Sequence, residues 1–493
     1  MRSRLWKTRR GVKKASRLLV VVPARLRIRW FADWAAGIVP WLNMNPNPSS
    51  FTRRDFFATS SKLAAGAAAI TTLPVARFAH GASPGDTIRV ALVGCGGRGT
   101  GATDHAMMTG DAVKLVAMAD VHKDRMERSL ATLAGKHKQK IDVKVENQFL
   151  GFESYKDAIA SADVVILATP PGFRPMMFEE AVRQGKHVFM EKPVAVDGPG
   201  VRTVLAAADE AKKKNLKVAV GLQRHHQPDY QECLKRIHDG QLGDIVSMRC
   251  YWNTGPVGPK MTRDACAKLL GRAPTEMEYQ LRNWYNFTWL CGDHIVEQHI
   301  HNLDVINWVK NAYPVSASGM GGRAWLKEPD HGEIFDHHAV EYVYADGSRL
   351  YSQCRQIPKC KGEVYEAVQG TKGSWTAERG QFVMRDLKQE ITWRYKAGEG
   401  VRNDGHRLEH IPFFEAVRHD KPYNEAYNGA KSSLTAIMGR MATYGGQPVL
   451  WDDALNSKLD LMPARLAWDA QPKVLPKADG TYPFASPGQT AAL

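Results

Sequence analysis

The sequence contains little cysteine, and no two cysteines stand at a Cys-x-x-Cys spacing. Seven cysteines are spread over 493 residues, which excludes a disulfide framework or a cysteine-based zinc finger as the basis of the fold. We interpret the cysteines as buried free thiols. A disulfide between Cys354 and Cys360 is the alternative.

The sequence also lacks an unbroken apolar run of about 20 residues, the length that a helix needs to cross a bilayer. It contains no internal repeat and no low-complexity tract, which excludes a solenoid or a fibrous protein. The content of 44% hydrophobic and 24% charged residues is that of an ordinary globular protein, and the length suits about two to three domains.

Positive charge is concentrated at the start of the chain. Residues 1–80 hold 15 of the 67 Lys and Arg residues but only two of the 51 Asp and Glu residues, and so carry +13 of the net charge of +16. The rest of the chain is close to neutral. The excess charge therefore does not indicate a nucleic acid as a partner of the folded part.

Residues 44–82 have the features of an export signal. An arginine pair within Phe51–Phe57 is followed by a short apolar run and by small residues at Ala79–Ala82, a pattern that resembles a twin-arginine signal peptide. We predict that Met44 is the true start and that residues 1–43 are a gene-start artefact or a disordered extension. The signal predicts export of the folded chain to the periplasm, with the twin-arginine translocase as a partner.

Residues 86–222 carry a dinucleotide-binding motif between a strand and a helix. The apolar segment Thr87–Val93 predicts a buried strand, and it leads into a G-x-G-x-x-G loop. Glycines in such a loop permit a tight turn, close approach of a pyrophosphate and packing of the next helix, whose N-terminus favours the phosphate charge. The predicted cofactor-binding residues of this loop are Gly94, Gly96, Gly97, Arg98 and Gly99.

Asp120 ends the second predicted strand, 21 residues after Gly99. This is close to the spacing of the carboxylate that binds the ribose hydroxyls in such folds, and a carboxylate there favours NAD because it repels a 2′-phosphate. Lys123 and Arg125 follow closely and offset the repulsion, so NADP remains the alternative. Since nicotinamide cofactors are scarce outside the cytoplasm, we predict that the exported protein keeps its cofactor tightly bound.

Strands and helical segments alternate up to residue 222, which predicts a doubly wound parallel sheet. Such sheets bind ligands beyond the carboxyl ends of their strands. Three polar residues follow predicted strands at this edge, and we expect them near the nicotinamide: Thr169, Lys192 and Gln223.

Four segments of the chain resemble the Gfo/Idh/MocA family of NAD(P)-dependent oxidoreductases. In chain order they are Ala168–Pro171, the Glu191-Lys192-Pro193 signature after a strand, Gly221–His226 and Gly292–Asp304. The resemblance covers residues 86–450. It implies a Rossmann domain, a second α+β domain and a nicotinamide cofactor that oxidises or reduces a sugar or cyclitol.

The resemblance also implies roles for individual residues. Lys192 and His301 would share the role of general base, Glu297 would stand where the family has a supporting Asp, and Glu191 would lie at the cofactor. The chain departs from the family pattern at Glu297 and at Asp293, which replaces a Gly, so the usual substrates of the family are not carried over.

The last of these segments predicts a helix with a polar face. At roughly 100° per residue, His294, Glu297, His301 and Asp304 fall within a sector about 80° wide. We interpret His294 and Asp304 as substrate-binding residues and His299, on the apolar side, as structural. A divalent metal on the polar face is the alternative, although the prediction made here is no metal.

Residues 223–470 predict an α+β substrate domain with an open, largely antiparallel sheet, and residues 471–493 an irregular tail. Trp284 lies among aromatic residues that suit sugar rings, and Arg224 is the remaining predicted substrate residue. In the family, the uncovered sheet face implies a homo-oligomer, either a dimer or a tetramer.

The leading prediction is an exported oxidoreductase that transfers hydride between a retained nicotinamide cofactor and a sugar, glycoside or cyclitol. The alternative is an NAD-dependent glycosidase that works by transient oxidation, elimination and re-reduction. A non-catalytic sugar-binding protein is the third hypothesis, which the intact Lys192 and His301 disfavour.

Overall fold

The computed structural model describes residues 86–493. The predicted signal over residues 44–82 and the extension before it lie outside the described residues. Within residues 86–493, no helix has both the length and the apolar character needed to cross a membrane.

The first sheet has six parallel strands in the order β3-β2-β1-β4-β5-β6. Its strands are β1 Ile88–Val93, β2 Val113–Asp120, β3 Gln148–Leu150, β4 Val164–Leu167, β5 His187–Met190 and β6 Val218–Val220. The connecting helices are α1 Gly97–Met107, α2 Lys123–His137, α3 Ser154–Ala160, α4 Arg174–Arg183 and α5 Gly198–Lys213. Every residue of β4 and β5 is buried, as expected for parallel strands that helices cover on both faces.

The second sheet has nine strands in the order β14-β13-β12-β11-β7-β10-β9-β8-β15, and only β7 and β10 pair in parallel. Its strands are β7 Ile245–Thr254, β8 Ser316–Gly322, β9 His337–Val343, β10 Arg349–Gln356, β11 Glu363–Gly370, β12 Gly373–Glu378, β13 Gln381–Asp386, β14 Ile391–Arg394 and β15 Val449–Leu450. The predicted fold class, a doubly wound parallel sheet followed by an α+β domain with a largely antiparallel sheet, is confirmed.

Ten helices of the described residues follow the first domain in the chain. They are α6 Pro228–His238, α7 Arg263–Leu270, α8 Glu276–Arg282, α9 Thr288–Cys291, α10 His294–Glu297, α11 Ile300–Lys310, α12 Gly405–Leu408, α13 His410–Arg418, α14 Ala426–Gly445 and α15 Trp451–Asn456.

The two domains interleave in space, which differs from the predicted boundary at residue 222. Phe413, Phe414 and Val417 of α13 are buried in the hydrophobic core of the first sheet. The backbone N–H of Val218 in β6 donates to the carbonyl of Tyr423 at 2.8 Å, so the chain after α13 extends the edge of that sheet. The segment from α12 onward therefore returns to the cofactor domain before α14 rejoins the second sheet.

The residues after α15 contain no helix or strand among those described, in line with the predicted irregular tail. The tail nevertheless packs on the domain, because Tyr482 is buried and its hydroxyl donates to Glu276 Oε2 at 2.7 Å. All seven cysteines are free thiols, six of them buried, and Cys354 is not bonded to the exposed Cys360.

A buried histidine makes the stability of the first sheet depend on pH. His187 begins β5, and its Nδ1 accepts a hydrogen bond from the backbone N–H of Lys217 at 3.0 Å. Burial, together with the charge of Lys217, lowers the pKa of His187 to about 4. Below the unfolded-state pKa of about 6.5 the unfolded chain binds a proton that the folded chain does not, so stability is lost as the pH falls.

We expect the free energy of unfolding of the wild type to fall by about 2 kcal/mol more than that of His187→Gln between pH 7 and pH 5. Urea unfolding at the two pH values measures this difference. His419→Gln, at a partly exposed ion pair, is the control and should follow the wild type. The same pH dependence in His187→Gln and the wild type would contradict the assignment.

Candidate active site

A cavity of about 630 Å³ opens at the carboxyl edge of the parallel sheet. The strand order reverses between β1 and β4, and ligands of doubly wound sheets bind at such a switch point. Loops after β1, β2, β4 and β5 line one side of the cavity, and residues of the second domain line the other.

The glycine-rich loop shapes the cavity floor through three different constraints. Gly94 has φ +93°, and a Cβ there would lie 2.5 Å from the Thr169 backbone nitrogen. A Cβ on Gly99 would lie 2.0 Å from the Gly94 carbonyl oxygen, so this glycine lets α1 pack on β1. At Gly96 and Gly97 a Cβ would meet nothing within 4 Å. These two glycines leave open space at the N-terminus of α1, which fits a dinucleotide pyrophosphate.

Asp120 lies at the cavity with its carboxylate bound to the loop. Its Oδ2 accepts from the Cys95 N–H at 2.7 Å, and its Oδ1 accepts from the His122 N–H at 2.8 Å. Burial raises its pKa, which these backbone donors partly oppose. Arg125 and Arg128 line the same end of the cavity, so a carboxylate and two guanidinium groups face the predicted ribose position.

Arg174 fixes the loop after β4. Its buried guanidinium donates to the carbonyls of Leu167 at 2.7 Å and Thr169 at 2.6 Å, and burial lowers its pKa to about 10. Thr169, one of the predicted cofactor-binding residues, lies on the cavity wall. Arg174 was not predicted from the sequence, since an arginine at the start of a helix carries no signal that it will turn inward.

Glu191 and Arg98 form an ion pair on the cavity wall. Arg98 Nε donates to Glu191 Oε1 at 3.0 Å. Burial raises the pKa of Glu191, but the charges of Arg98 and Lys192 outweigh it and hold that pKa below its usual value. Arg98 also lies 3.9 Å from the buried Glu409, at the junction of α12 and α13. The returning segment thus supports the cofactor loop.

Lys192 meets Glu297 across the cavity. Lys192 Nζ donates to the Glu297 carbonyl oxygen at 2.6 Å and lies 3.3 Å from Glu297 Oε1. The two side chains are 12% and 17% exposed, so both are accessible to a ligand but largely shielded from water. The peptide bond between Lys192 and Pro193 is cis. The contact between Lys192 and Glu297 brings together two of the three residues predicted to be catalytic.

Trp284 and Lys260 complete the wall that the second domain supplies. Trp284 was predicted from the aromatic cluster. Lys260 was missed, because it lies in an irregular loop without periodicity. Its ammonium lies 4.9 Å from the centre of the Tyr285 ring, and burial lowers its pKa while the nearby Glu297 opposes that shift.

The predicted continuous helix with four polar groups on one face is wrong. The structure has two helices, α10 and α11, with a break at Gln298 and His299. His294 is fully buried beside Asp293, away from the cavity. Asp304 accepts hydrogen bonds from Ser432 and Asn428 in the core. Neither residue is placed to bind a substrate in the cavity.

Two further predicted residues have other partners. Arg224 is buried in an ion pair with Glu366, whose carboxylate also accepts from Tyr230 at 3.0 Å, so it is a core residue and not a substrate residue. Neither Gln223 nor His301 is among the described residues that line the cavity. Gln223 precedes Arg224 in a short turn, and its Oε1 is buried.

His301 is buried and does not line the cavity. Its ring stacks on Trp252 with 6.1 Å between centroids. Burial, and then the charge of Lys192, hold its pKa well below the usual range, so the ring is neutral. His301 is thus close enough to Lys192 to feel its charge, although the two share no hydrogen bond among the described contacts.

Comparison with known proteins agrees with this geometry. Residues 88–222 match the Gfo/Idh/MocA family model, described as an oxidoreductase family with an NAD-binding Rossmann fold. These residues are therefore similar to the NAD-binding domain of the Gfo/Idh/MocA oxidoreductases. The match covers the glycine-rich loop, Asp120 and the Glu191–Lys192 signature, and it ends where the second domain begins.

Curated relatives extend the likeness beyond the Gfo/Idh/MocA domain. The inositol 2-dehydrogenase of Rhizobium meliloti (strain 1021) is 25% identical over 355 residues, which are 71% of this chain and 89% of the relative. The scyllo-inositol 2-dehydrogenase (NAD(+)) of Bacillus subtilis (strain 168) is 25% identical over 291 residues, which are 58% of this chain and 72% of the relative.

Solved structures share the fold of both domains. The aldose-aldose oxidoreductase from Caulobacter crescentus has a TM-score of 0.58 and 17% sequence identity, and the alignment covers 74% of this chain and 99% of that one. At this identity the likeness is in the fold. The substrate of this chain has to be argued from its own cavity.

Proposed function

We propose that the protein is an NAD-dependent dehydrogenase that acts on a ring hydroxyl of a sugar or cyclitol. The observation that carries the proposal is the Lys192–Glu297 pair, which faces the same cavity as the open glycines Gly96 and Gly97. A proton-transfer group and a loop suited to bind a dinucleotide therefore line the same cavity.

The two ends of this cavity lie along one edge of the parallel sheet, several strands apart. Asp120 ends β2 and Lys192 follows β5, with β1 and β4 between these two strands. Three inter-strand spacings of about 4.8 Å place these positions about 14 Å apart. An extended dinucleotide can thus bind with its ribose at Asp120 and its reactive ring near Lys192. When bound, the nicotinamide supplies the two-electron hydride exchange that oxidises the alcohol.

Oxidation of an alcohol also requires a group that takes the hydroxyl proton. Lys192 in its amine form can accept that proton, and its ammonium can return it in the reverse direction. Glu297 orients Lys192 through its carbonyl and carboxylate oxygens. His301 is neutral and does not line the cavity, which leaves Lys192 as the group with access to it.

The second domain offers contacts for a polyol. Trp284 presents an aromatic surface, and Lys260 adds an ammonium group that makes no hydrogen bond among the described residues and lines the cavity. Aromatic rings beside polar donors suit sugar rings, which combine apolar C–H faces with hydroxyl groups.

We expect Lys260→Met to raise KM for the sugar about tenfold and to change kcat by less than about threefold, because a charge-assisted hydrogen bond contributes about 1.5 kcal/mol or more. Steady-state kinetics with saturating NAD measure both constants. An unchanged KM would contradict a substrate contact, whereas a large loss of kcat at unchanged KM would assign Lys260 to proton transfer instead.

The substrate class is tested with a panel of aldoses, glycosides and inositols in the presence of NAD⁺. Lasting formation of the reduced cofactor, seen by its near-ultraviolet absorbance, supports the dehydrogenase. Release of an aglycone without lasting reduction would support the glycosidase hypothesis instead. Running the panel with NADP⁺ in parallel decides whether Asp120 or the neighbouring Arg125 and Arg128 determines the cofactor preference.

We propose further that the chain is exported by the twin-arginine pathway with its cofactor already bound. The support is the motif around Arg53–Arg54 in the sequence. Cell fractionation of a variant with lysines at both positions tests this proposal. The variant should stay in the cytoplasm, and a variant that still reaches the periplasm would overturn it.

We propose that the open face of the second sheet joins copies of the chain. Residues alternate between buried and exposed along β10, and the exposed set on this face of the sheet includes Met320 and Tyr351. Light scattering of the intact chain tests the proposal, since a monomeric mass at micromolar concentration would contradict it.

A further inference from the structure

Asp293, His294 and His338 form a fully buried cluster apart from the cavity. Their candidate ligand atoms lie within 4.8 Å of one another, and none of the three residues is more than 2% exposed. Asp293 and His294 come from the start of α10, and His338 comes from β9. Two imidazole rings thus face one carboxylate in the core of the second domain.

Three ring nitrogens of this cluster have no hydrogen-bond partner among the described residues. They are His294 Nδ1, His294 Nε2 and His338 Nε2. His294 Nδ1 lies 2.8 Å from Asp293 Oδ1, and His338 Nε2 lies 3.3 Å from Asp293 Oδ2. Both are close contacts of a ring nitrogen with the carboxylate rather than well-aligned hydrogen bonds. A buried nitrogen without a partner costs free energy, so three in one place call for a ligand.

The hydrogen bonds around His338 decide which of its nitrogens carries the proton. The Thr443 hydroxyl donates to the carbonyls of Gly439 and Arg440 on its own helix. With its single proton on one of these carbonyls, Thr443 Oγ1 accepts from His338 Nδ1–H, 2.9 Å away. In the neutral ring, Nε2 then carries a lone pair that points toward a carboxylate. Two such acceptors repel each other unless a cation lies between them.

The Asp293 carboxylate has room for one more partner on Oδ1. Oδ2 accepts from the Tyr444 hydroxyl at 2.5 Å and the Phe335 N–H at 2.9 Å, while Oδ1 accepts from the His294 backbone N–H. Asp293 also has φ +78°, a conformation that costs a residue other than glycine about 1–3 kcal/mol and persists where the surroundings require it.

We propose that Asp293, His294 and His338 bind a zinc ion, with the Cys354 thiolate as the fourth ligand. Nitrogen, oxygen and sulfur ligands in a closed site select zinc. Ligand atoms around tetrahedral zinc lie about 3.3 Å apart, since its bonds to nitrogen and oxygen are about 2.0–2.1 Å long. His294 Nδ1 lies 2.8 Å from Asp293 Oδ1, the oxygen with room for a ligand, and the candidate ligand atoms of the three residues lie within 4.8 Å of one another.

The position of Cys354 and the outer contacts of the cluster support the assignment. Cys354 is buried on β10, directly opposite His338 in the strand register. The bond from His338 Nδ1 to Thr443 is the outer contact that zinc-binding imidazoles commonly make through their second nitrogen.

The zinc site would organise the active site without touching the substrate. The backbone N–H of Glu297 donates to the Asp293 carbonyl at 2.9 Å, so α10 begins at the cluster and ends at the residue that orients Lys192. A metal held by Asp293 and His294 would fix the start of this short helix, and through it the position of Glu297.

Elemental analysis of the full chain, purified without chelators and dialysed against dilute zinc, tests the proposal independently of turnover. We expect about one zinc ion per chain in the wild type. The expected content falls below about 0.2 in His338→Ala and in the milder His338→Gln. His299→Gln is the matched control, because His299 is equally buried but bonds to Ser352 Oγ at 2.7 Å, and it should keep the metal.

Three outcomes would overturn the proposal. Wild-type protein without zinc after dialysis would do so even if the variants fail to fold. Zinc that stays in soluble His338→Gln would show binding elsewhere on the chain. An X-ray absorption spectrum of the bound zinc without imidazole ligands would also exclude this cluster. Activity of the wild type with a sugar would leave each of these results unchanged, so the two proposals fail separately.

Discussion

Replacing Lys192 by methionine should lower kcat/KM for the sugar about 10²–10⁴-fold, the usual contribution of a general acid or base. The ammonium of Lys192 lies within 3.3 Å of both the carbonyl and the carboxylate of Glu297, and its side chain lines the cavity. Methionine keeps most of the apolar stem and removes the group that exchanges the proton. The loss should therefore fall mainly on kcat.

The same change leaves Glu297 without its cation. Because that carboxylate is 17% exposed, water can solvate it, and we expect thermal unfolding to shift by only a few degrees. The affinity for NAD should stay within about threefold of the wild type. An interaction that acts only in the transition state can be lost without a change in ground-state binding.

Lys213→Met is the control for this prediction, as Lys213 is an exposed partner of Glu210 on α5. It should keep wild-type kinetics. If Lys192→Met retained more than about a third of the wild-type kcat, proton transfer would have to be assigned to another residue. His301, the other predicted general base, would be the next candidate to test.

Gly96→Val should abolish dinucleotide binding without unfolding the protein. A Cβ at Gly96 meets no atom within 4 Å, and its φ of −74° suits any residue. The valine methyl groups would occupy the space at the N-terminus of α1 that the pyrophosphate needs, so we expect binding to weaken at least about 100-fold. Calorimetric titration with NAD⁺ measures this loss, and thermal unfolding measures the fold.

For Gly99→Val we expect the opposite result, a loss of stability. Its Cβ would lie 2.0 Å from the Gly94 carbonyl oxygen, so this variant should lose stability by several kcal/mol through overpacking. Gly135→Ala on α2 has open space and lies away from the loop, so it should bind NAD normally. If Gly96→Val bound NAD as the wild type does, the assignment of the dinucleotide site to the glycine-rich loop would be wrong.

The sequence predicted the cofactor half well because its signals are local. A glycine loop between a strand and a helix, a carboxylate at the next strand end and a Glu-Lys-Pro signature each depend on a few neighbouring residues. β1 spans Ile88–Val93, within the predicted segment Thr87–Val93. In such segments, burial of both strand faces or strict alternation leaves little ambiguity.

The second domain was harder to predict because its geometry depends on distant contacts. The helix over His294–Asp304 breaks at residues 298–299, which helical periodicity cannot show. β8 was missed because glycine is rare in strands. Its Gly319 and Gly321 lie against β9 so closely that a Cβ would come within 2.7 Å of a backbone oxygen there, so these glycines permit the pairing.

Long-range pairing also decided which predicted residues reach the cavity. Arg224 follows a strand of the first sheet, yet its side chain is buried in the core in an ion pair with Glu366 on β11. The segment of α12 and α13 has an ordinary amphipathic pattern, which gives no information on which of the two sheets it will cover. Lys260 reaches the cavity from an irregular loop, and only the folded chain shows it.

The central claim is that this chain binds one nicotinamide dinucleotide in the cavity between Gly96 and Lys192. Equilibrium dialysis against NAD⁺, followed by denaturation and mass analysis of the released small molecules, counts both retained and newly bound cofactor. The account predicts about one dinucleotide per wild-type chain and almost none for Gly96→Val. A wild-type chain that releases no dinucleotide would contradict the cofactor site and the proposed dehydrogenase together.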